Sequence, residues 1–369
     1  MMKNMDDSEP LFEEKKISIY DEINDIYSKY YTQVKIVFEI FIFIVLIFSF
    51  FYSKKESPSV LNKAQDNINK EKHQISTSGK IVQEQEPNTD IKIALCVIAK
   101  LENRYIREFV EFYQKMEVDK IFLYDNNNPD EEKFDEVISD YMDSGYVKVI
   151  DFRGIERAQH RAYKECYENN YKVYDWFIYF DVDEFIYLKD FNDIKSFVNH
   201  KRFKDCERIH FNWVMYTDNN LLYYDNRPVL ERFTEKEPNA RKYKSGGSQE
   251  IKSIIRGKNP NVNVHCIHVI DKNLKVCDGF GNRKQVVDLR TLHSDYEYYY
   301  LRHFYSKSTE EFIDKIMRTD AVHAQNLGTQ LYKIKRYFTY STVTKEKLDL
   351  IENRTGLDLS SYRYRVKKK

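Results

Sequence analysis

Four short apolar runs separated by three helix-periodic stretches limit what this chain can fold into more than any other feature. Ile91-Lys92-Ile93-Ala94-Leu95-Cys96-Val97-Ile98-Ala99, Lys120-Ile121-Phe122-Leu123-Tyr124, Val147-Lys148-Val149-Ile150 and Trp176-Phe177-Ile178-Tyr179-Phe180 have the length and residue types of buried strands. Residues 105–116, 131–142 and 157–167 have helical spacing; in the first, Ile106, Phe109, Val110 and Tyr113 share one face. Strands alternating with helices predict an α/β fold on a parallel sheet. Ligands of such sheets sit beyond the carboxyl ends of the strands. The polar residues gather there: Lys100 and Glu102 after the first run, Asp125 and Asn126 after the second, Asp181 and Asp183 after the fourth.

The last cluster, Asp181-Val182-Asp183-Glu184, carries the most chemistry. Side chains two apart on an extended chain point the same way, so Asp181 and Asp183 aim at one place. Carboxylates so placed repel one another unless a cation sits between them. Hard oxygen donors suit Mg²⁺ or Mn²⁺, ions that can also grip a diphosphate. The bland alternative is a polar turn that closes a strand.

Composition sets outer bounds. The 369 residues suffice for one large domain or two ordinary ones. Lys+Arg and Asp+Glu both number 59, so nothing draws the whole protein to nucleic acid, and none is expected as a partner. Neither a phosphate-loop Gly-Lys-Ser nor a dinucleotide-binding Gly fingerprint occurs, which disfavours ATPase and NAD chemistry. Residues 36–52 are apolar except for Glu39 and Ser49, just long enough to span a bilayer, and lie between Lys35 and Lys54-Lys55. They are too far from the start for a cleaved signal peptide. The predicted organisation is a polar tail at 1–33, a membrane anchor at 34–52, a flexible stem at 53–90, a folded α/β domain at 91–320 and a helical extension with a basic end at 321–369. Five cysteines leave one over in an oxidising compartment; Cys266 and Cys277 are the expected pair, and Cys96, mid-strand, is expected buried and free.

Several segments together resemble glycosyltransferases of family 92 and their bacterial relatives. They are Ile98-Ala99-Lys100-Leu101-Glu102-Asn103, Tyr105-Ile106-Arg107-Glu108-Phe109, Ile121-Phe122-Leu123-Tyr124-Asp125-Asn126 and Asp181-Val182-Asp183-Glu184-Phe185. His210-Phe211-Asn212-Trp213, Leu230-Glu231-Arg232-Phe233, Lys252-Ser253-Ile254-Ile255-Arg256 and His303-Phe304-Tyr305-Ser306-Lys307-Ser308 with Glu311-Phe312 continue the series. Leu101 and Phe304 depart from the family, which often has Asn and Tyr there.

The resemblance implies a GT-A fold, a nucleotide-sugar donor (UDP-linked, with galactose as the sugar), inversion at the transferred centre and a glycan acceptor. It also implies Mn²⁺ or Mg²⁺ at the Asp-x-Asp, and a single-pass type II topology with the domain in the Golgi lumen. On this frame Asp181, Asp183 and His303 are the expected metal ligands. Lys100, Glu102, Asp125, Asn126, Gln159 and Lys252 are the expected donor-binding residues. For Asp125 and Asn126 helix capping is an equal alternative, and for Lys100 simple exposure. Asp218 or Glu231 is the expected base for the acceptor hydroxyl, although Asp218 also suits a turn. Trp213 and Tyr216 either stack on the acceptor or pack in the core. The loop with Gly246-Gly247 either cradles phosphate or forms a hairpin. The rival from another class is a membrane-tethered carbohydrate-binding protein that keeps the fold without turnover.

Overall fold

The computed structural model describes residues 90–237, 251–257, 275–284, 295–318 and 326–366. The predicted tail and anchor, the stem up to residue 89, the Gly246-Gly247 loop and Cys266 all lie outside these. Among the described residues, no helix is long and apolar enough to cross a membrane.

The predicted strand–helix alternation forms: β1 (Ile93–Ala99), α1 (Asn103–Lys115), β2 (Lys120–Asp125), α2 (Asp135–Asp143), β3 (Val147–Asp151), α3 (Gln159–Asn170) and β4 (Trp176–Ile178). The helix expected at 131–142 starts later because Asn128-Pro129 opens a turn in which Glu131 accepts from the Asn128 N–H at 2.7 Å. After β4 come β5 (Glu184–Leu188), α4 (Ile194–Asn199), β6 (Arg208–Met215), α5 (Val229–Arg232), β7 (Ile251–Arg256), β8 (Val276–Cys277), β9 (Arg283–Lys284) and β10 (Tyr299–His303). Three helices close the described chain: α6 (Thr309–Met317), α7 (Leu327–Tyr340) and α8 (Lys345–Thr355).

The strand order is β3-β2-β1-β4-β7-β6-β10-β5, with β8 on β6 and β9 on β8. β1 pairs in parallel with β2 on one side and with β4 on the other, and β2 is parallel to β3. Beyond β4 the sheet is mixed, since β7 is antiparallel to both β4 and β6. The chain thus runs outward from β1 to β3 and then returns to β1's other edge. That reversal opens a crevice at the carboxyl ends of β1 and β4.

Strand alternation sends side chains to two cores. Ile93, Leu95 and Val97 face Ile106, Phe109 and Tyr113 of α1, while Ala94, Cys96 and Ile98 face Ala162, Tyr163 and Cys166 of α3. β1 is buried along its whole length, as expected for a central parallel strand. Cys96 is buried but not free. It bonds Cys166, and Cys206 bonds Cys277, which replaces the expected Cys266–Cys277 bridge. The physical reason is placement: α3 lies directly on the face to which Cys96 points, and β8 carries Cys277 to the start of β6, near Cys206. Bridges with sequence separations of 70 and 71 each stabilise by about 4 kcal/mol in the chain-entropy view.

The C-terminal helices are built into the same body. Ile334, Tyr337, Phe338, Leu348 and Ile351 belong to the larger core. α6 begins with a capping box formed by Ser308 and Glu311. Glu311 also accepts from Arg232 Nη1 at 2.7 Å and from the Tyr105 hydroxyl at 2.8 Å. This buried network fixes the β10–α6 turn against α1.

Candidate active site

Asp181, Val182 and Asp183 form the short link in which the chain leaves β4 for β5 at the far end of the strand order. Repulsion between the two carboxylates is relieved by lysines. Lys252, from β7, donates to Asp181 Oδ2 at 2.9 Å and lies 3.5 Å from Glu184. Lys315, from α6, donates to Asp183 Oδ2 at 2.7 Å. The Tyr163 hydroxyl is 3.2 Å from Asp181 Oδ1, and Gln159 in turn reaches Tyr163. Asp181 and Asp183 therefore do not share one cation; each carboxylate has its own.

These pairings set the local charge. Burial alone would raise the Asp183 carboxyl, but the Lys315 ammonium, helped by His303, outweighs it and holds Asp183 well below the usual carboxylate range. Burial pushes Glu184 well up, aided by the neighbouring Asp181 and Asp183 and opposed by Lys252. Burial also lowers Lys252, yet Asp181 and Glu184 reverse the effect and leave it raised. His303 ends β10 with Nε2 3.5 Å from Asp183 Oδ1. Burial lowers its pKa against the pull of Asp183, which favours the neutral imidazole. The His303 ring packs 4.2 Å from the ring of Trp213, which is itself buried.

Beside this centre a cleft of about 550 Å³ opens at the end of β1. Its wall includes Lys100, Asn128, Ser306, Lys307, Lys315 and Arg318. The volume suits a small organic ligand. Arg318 crosses to the β1 turn, where it pairs with Glu102 and donates to the Leu101 carbonyl at 2.7 Å. A second cleft, about 470 Å³, shares Tyr305, Lys315 and Arg318 with the first and adds Tyr332, Lys333 and Arg336.

The remaining predicted residues divide. Lys100 lines the cleft and donates to Asn128 Oδ1 at 3.3 Å. Glu102 is buried, with Oε2 lacking a partner. Asp125 and Asn126 build the turn after β2: Asp125 meets Arg153 at 2.6 Å and the Asn127 N–H at 3.0 Å, while Asn126 donates to the carbonyls of Phe152 and Ile155. Asp218 is not brought to the cleft. It is sealed beneath α7 and α8, with Lys347 at 2.6 Å and the Tyr337 hydroxyl at 2.7 Å. Glu231 is exposed on α5 and lines neither cleft. Lys315 and Arg318 were missed in the sequence. The available signal was their spacing at the end of α6, opposite the buried Phe312, Ile313 and Ile316.

The model of Glycosyltransferase family 92 matches residues 92–341. A glycosyltransferase family 92 protein of Ricinus communis is 26% identical over 97 residues, covering 26% of this chain and 17% of the relative. Another, from Arabidopsis thaliana, is 25% identical over 182 residues, covering 44% of this chain and 30% of the relative. The chain thus matches less than a third of the length of either. Among solved structures, S. aureus TarS 1–349 in complex with UDP-GlcNAc is 13% identical, with a TM-score of 0.32 over 72% of this chain and 80% of that one. The family match runs from the start of β1 through α7 and includes both carboxylates, both lysines and His303. On this ground the chain belongs to glycosyltransferase family 92.

Proposed function

We propose that this protein transfers a sugar from a nucleotide-linked donor, UDP-linked in the first instance, to a glycan hydroxyl on a GT-A-type fold. One observation carries the reading. The crevice at the β1/β4 reversal is lined by cations, and one of them, Lys315, is hydrogen-bonded to Asp183 beside His303. A departing nucleoside diphosphate needs its charge neutralised, and prearranged cations in a partly closed cleft do that.

Asp183 and His303 also fit a divalent ion. A carboxylate oxygen and a neutral imidazole nitrogen stand 3.5 Å apart, and the His303 Nδ1 atom is buried without a partner. Among the described residues no three His, Cys, Asp or Glu side chains converge as a metal site. Mn²⁺ or Mg²⁺ held here would take most of its shell from diphosphate and water, as Mg²⁺ commonly does. Bound, the ion supplies further neutralisation of the leaving group. The chain's own contribution is positional. Lys252 and Tyr163 hold Asp181, Lys315 orients Asp183, and Arg318 ties the β1 turn to the end of α6.

Two disulfides support an oxidising compartment, in keeping with a Golgi lumen and a membrane anchor at residues 34–52. The test is a panel of nucleotide sugars, UDP-galactose first, given to the full chain in detergent with Mn²⁺ and a mixture of glycans. Release of nucleoside diphosphate with an inverted glycoside product is the expected result. Glycan binding without nucleotide release would replace the transferase by a carbohydrate-binding protein.

A further inference from the structure

The turn from Phe304 to Ser308 holds a charge for which the fold provides no counter-ion. Lys307 is 5% exposed and lines the 550 Å³ cleft. Among the described residues no carboxylate lies within ion-pair distance of its ammonium; its near neighbour is the Tyr105 ring, 3.9 Å from Nζ to centroid. The other buried lysines behave differently, for Lys252 and Lys347 both meet carboxylates. Taking an ammonium out of water without a counter-charge is costly, and a ring face returns only part of that cost. Burial accordingly lowers the pKa of Lys307, with Glu102 and Asp183 opposing from a distance.

Three further observations fall on the same turn. The Ser306 hydroxyl is buried and has no partner. No hydrogen bond joins the main-chain N–H of Ser306 or Lys307 to another described residue. Lys307 sits at φ 48°, and across the cleft Leu101 sits at φ 54°, conformations that non-glycine residues rarely hold unless the surroundings impose them. A lysine ammonium, a hydroxyl and two main-chain N–H groups make a set of donors with no acceptor, and the first two border an open cleft.

We infer that the Ser306–Lys307 turn is a phosphoryl-binding site, with Lys307 as the principal contact. The site completes the pairing that the fold leaves open: bound anion supplies Lys307's missing counter-charge. Which phosphoryl group occupies it rests on the reading above. If that reading holds, it is the diphosphate of the donor, and Lys307 is a binding residue additional to those named from the sequence.

The experiment is calorimetric titration of the full chain in detergent and EDTA with inorganic pyrophosphate and, separately, with UDP, alongside melting curves. Pyrophosphate should bind the wild type, and Lys307→Met should weaken it about ten- to a hundredfold, as loss of a charge-assisted hydrogen bond does. Ser306→Ala should weaken it less. Lys307→Met should melt at the same temperature as the wild type or higher, since an uncompensated buried charge is removed. If Lys307→Met melts lower or fails to fold, the ammonium serves the Tyr105 contact and the inference falls. It also falls if wild type and variant bind pyrophosphate alike, or if neither binds it. UDP binding that is tight and unchanged by Lys307→Met would overturn the site while leaving the donor reading intact. Pyrophosphate binding through Lys307 with UDP bound no more tightly would keep the site and count against a nucleotide donor.

Discussion

Asp218→Asn separates two roles for one carboxylate. As the acceptor's base, Asp218 would need access to the cleft. In the fold it is 2% exposed on its side chain, faces Lys347 at 2.6 Å, and accepts from Tyr337 at 2.7 Å and from the Asn220 N–H at 3.0 Å. Asn keeps the shape and most of the hydrogen bonds but removes the charge. Among the described residues, Lys347, 1% exposed, is then left with the Asn220 side-chain oxygen at 3.2 Å as its remaining polar contact. Breaking a buried pair from one side costs about 3–5 kcal/mol, because the surviving charge stays buried. For a domain of this size about 2–4 °C accompanies each kcal/mol, so the melting temperature should fall by roughly 6–20 °C. The assay is thermal unfolding followed by circular dichroism, with Asp218→Leu/Lys347→Met as the companion. Removing both charges should recover much of the loss, since apolar replacements of buried pairs are often tolerated. An Asp218→Asn protein that melts within about 2 °C of the wild type but has lost transfer would refute the clamp and restore the base.

Asp183→Asn should abolish Mn²⁺-dependent transfer in a folded protein; because it also weakens the Lys315 contact, unfolding should show a loss of about 1–3 kcal/mol rather than a gain. Full activity in that variant would end the assignment of Asp183 to the diphosphate. Reduction of both disulfides should lower stability by about 4 kcal/mol for each bridge broken, read as a fall in melting temperature between scans without and with dithiothreitol. Burial holds the His210 imidazole well below its ordinary 6.5, so its contribution is intact above that pH and is lost as the unfolded chain takes up a proton below it. Stability should fall by up to about 1.4 kcal/mol per pH unit under 6.5, and His210→Phe should flatten that slope; an unchanged slope would assign the acid sensitivity elsewhere.

The parallel half of the sheet was legible because its signal is local. β1, β2, β3 and β4 each announce themselves by an apolar run, and the polar residues at their ends mark the crevice, whereas the reversal at β1 is set by the pairing of β4 with β1, which no local run encodes. Asp181 and Asp183 were legible for the same reason. Their counter-ions were not, because Lys252 and Lys315 arrive from β7 and α6, 71 and 132 residues from their partners. Periodicity carries no information over such separations. Because those lysines already relieve the repulsion between the two carboxylates, removing one charge in Asp183→Asn brings no gain in stability from that source. The cysteine pairing failed likewise: nearness in sequence favoured Cys266 with Cys277, whereas strand pairing of β8 with β6 decides which sulfurs meet. Asp125 illustrates a case where the two readings offered for it, ligand holder and local cap, were equally visible. Its contacts with Arg153 and the Asn127 N–H hold the turn after β2 and cap no helix, since α2 starts only at Asp135 and has no side-chain cap.

Sequence similarity and cooperative folding end at different places in this molecule. The family match stops at residue 341, but Lys347, Leu348 and Ile351 lie beyond it and are buried. Through Asp218 and Tyr337 they are tied to Thr309, the first residue of the helix that carries Lys315. A fragment trimmed to the matched span would leave a buried carboxylate without its ammonium and bare the outer side of the helix pair. The loss would propagate to the cleft through a helix that itself lies wholly inside the match. For anyone choosing where to cut this protein for expression or crystallisation, the boundary set by packing is the safer guide, and it runs on to the last described turn at Ser360–Arg365.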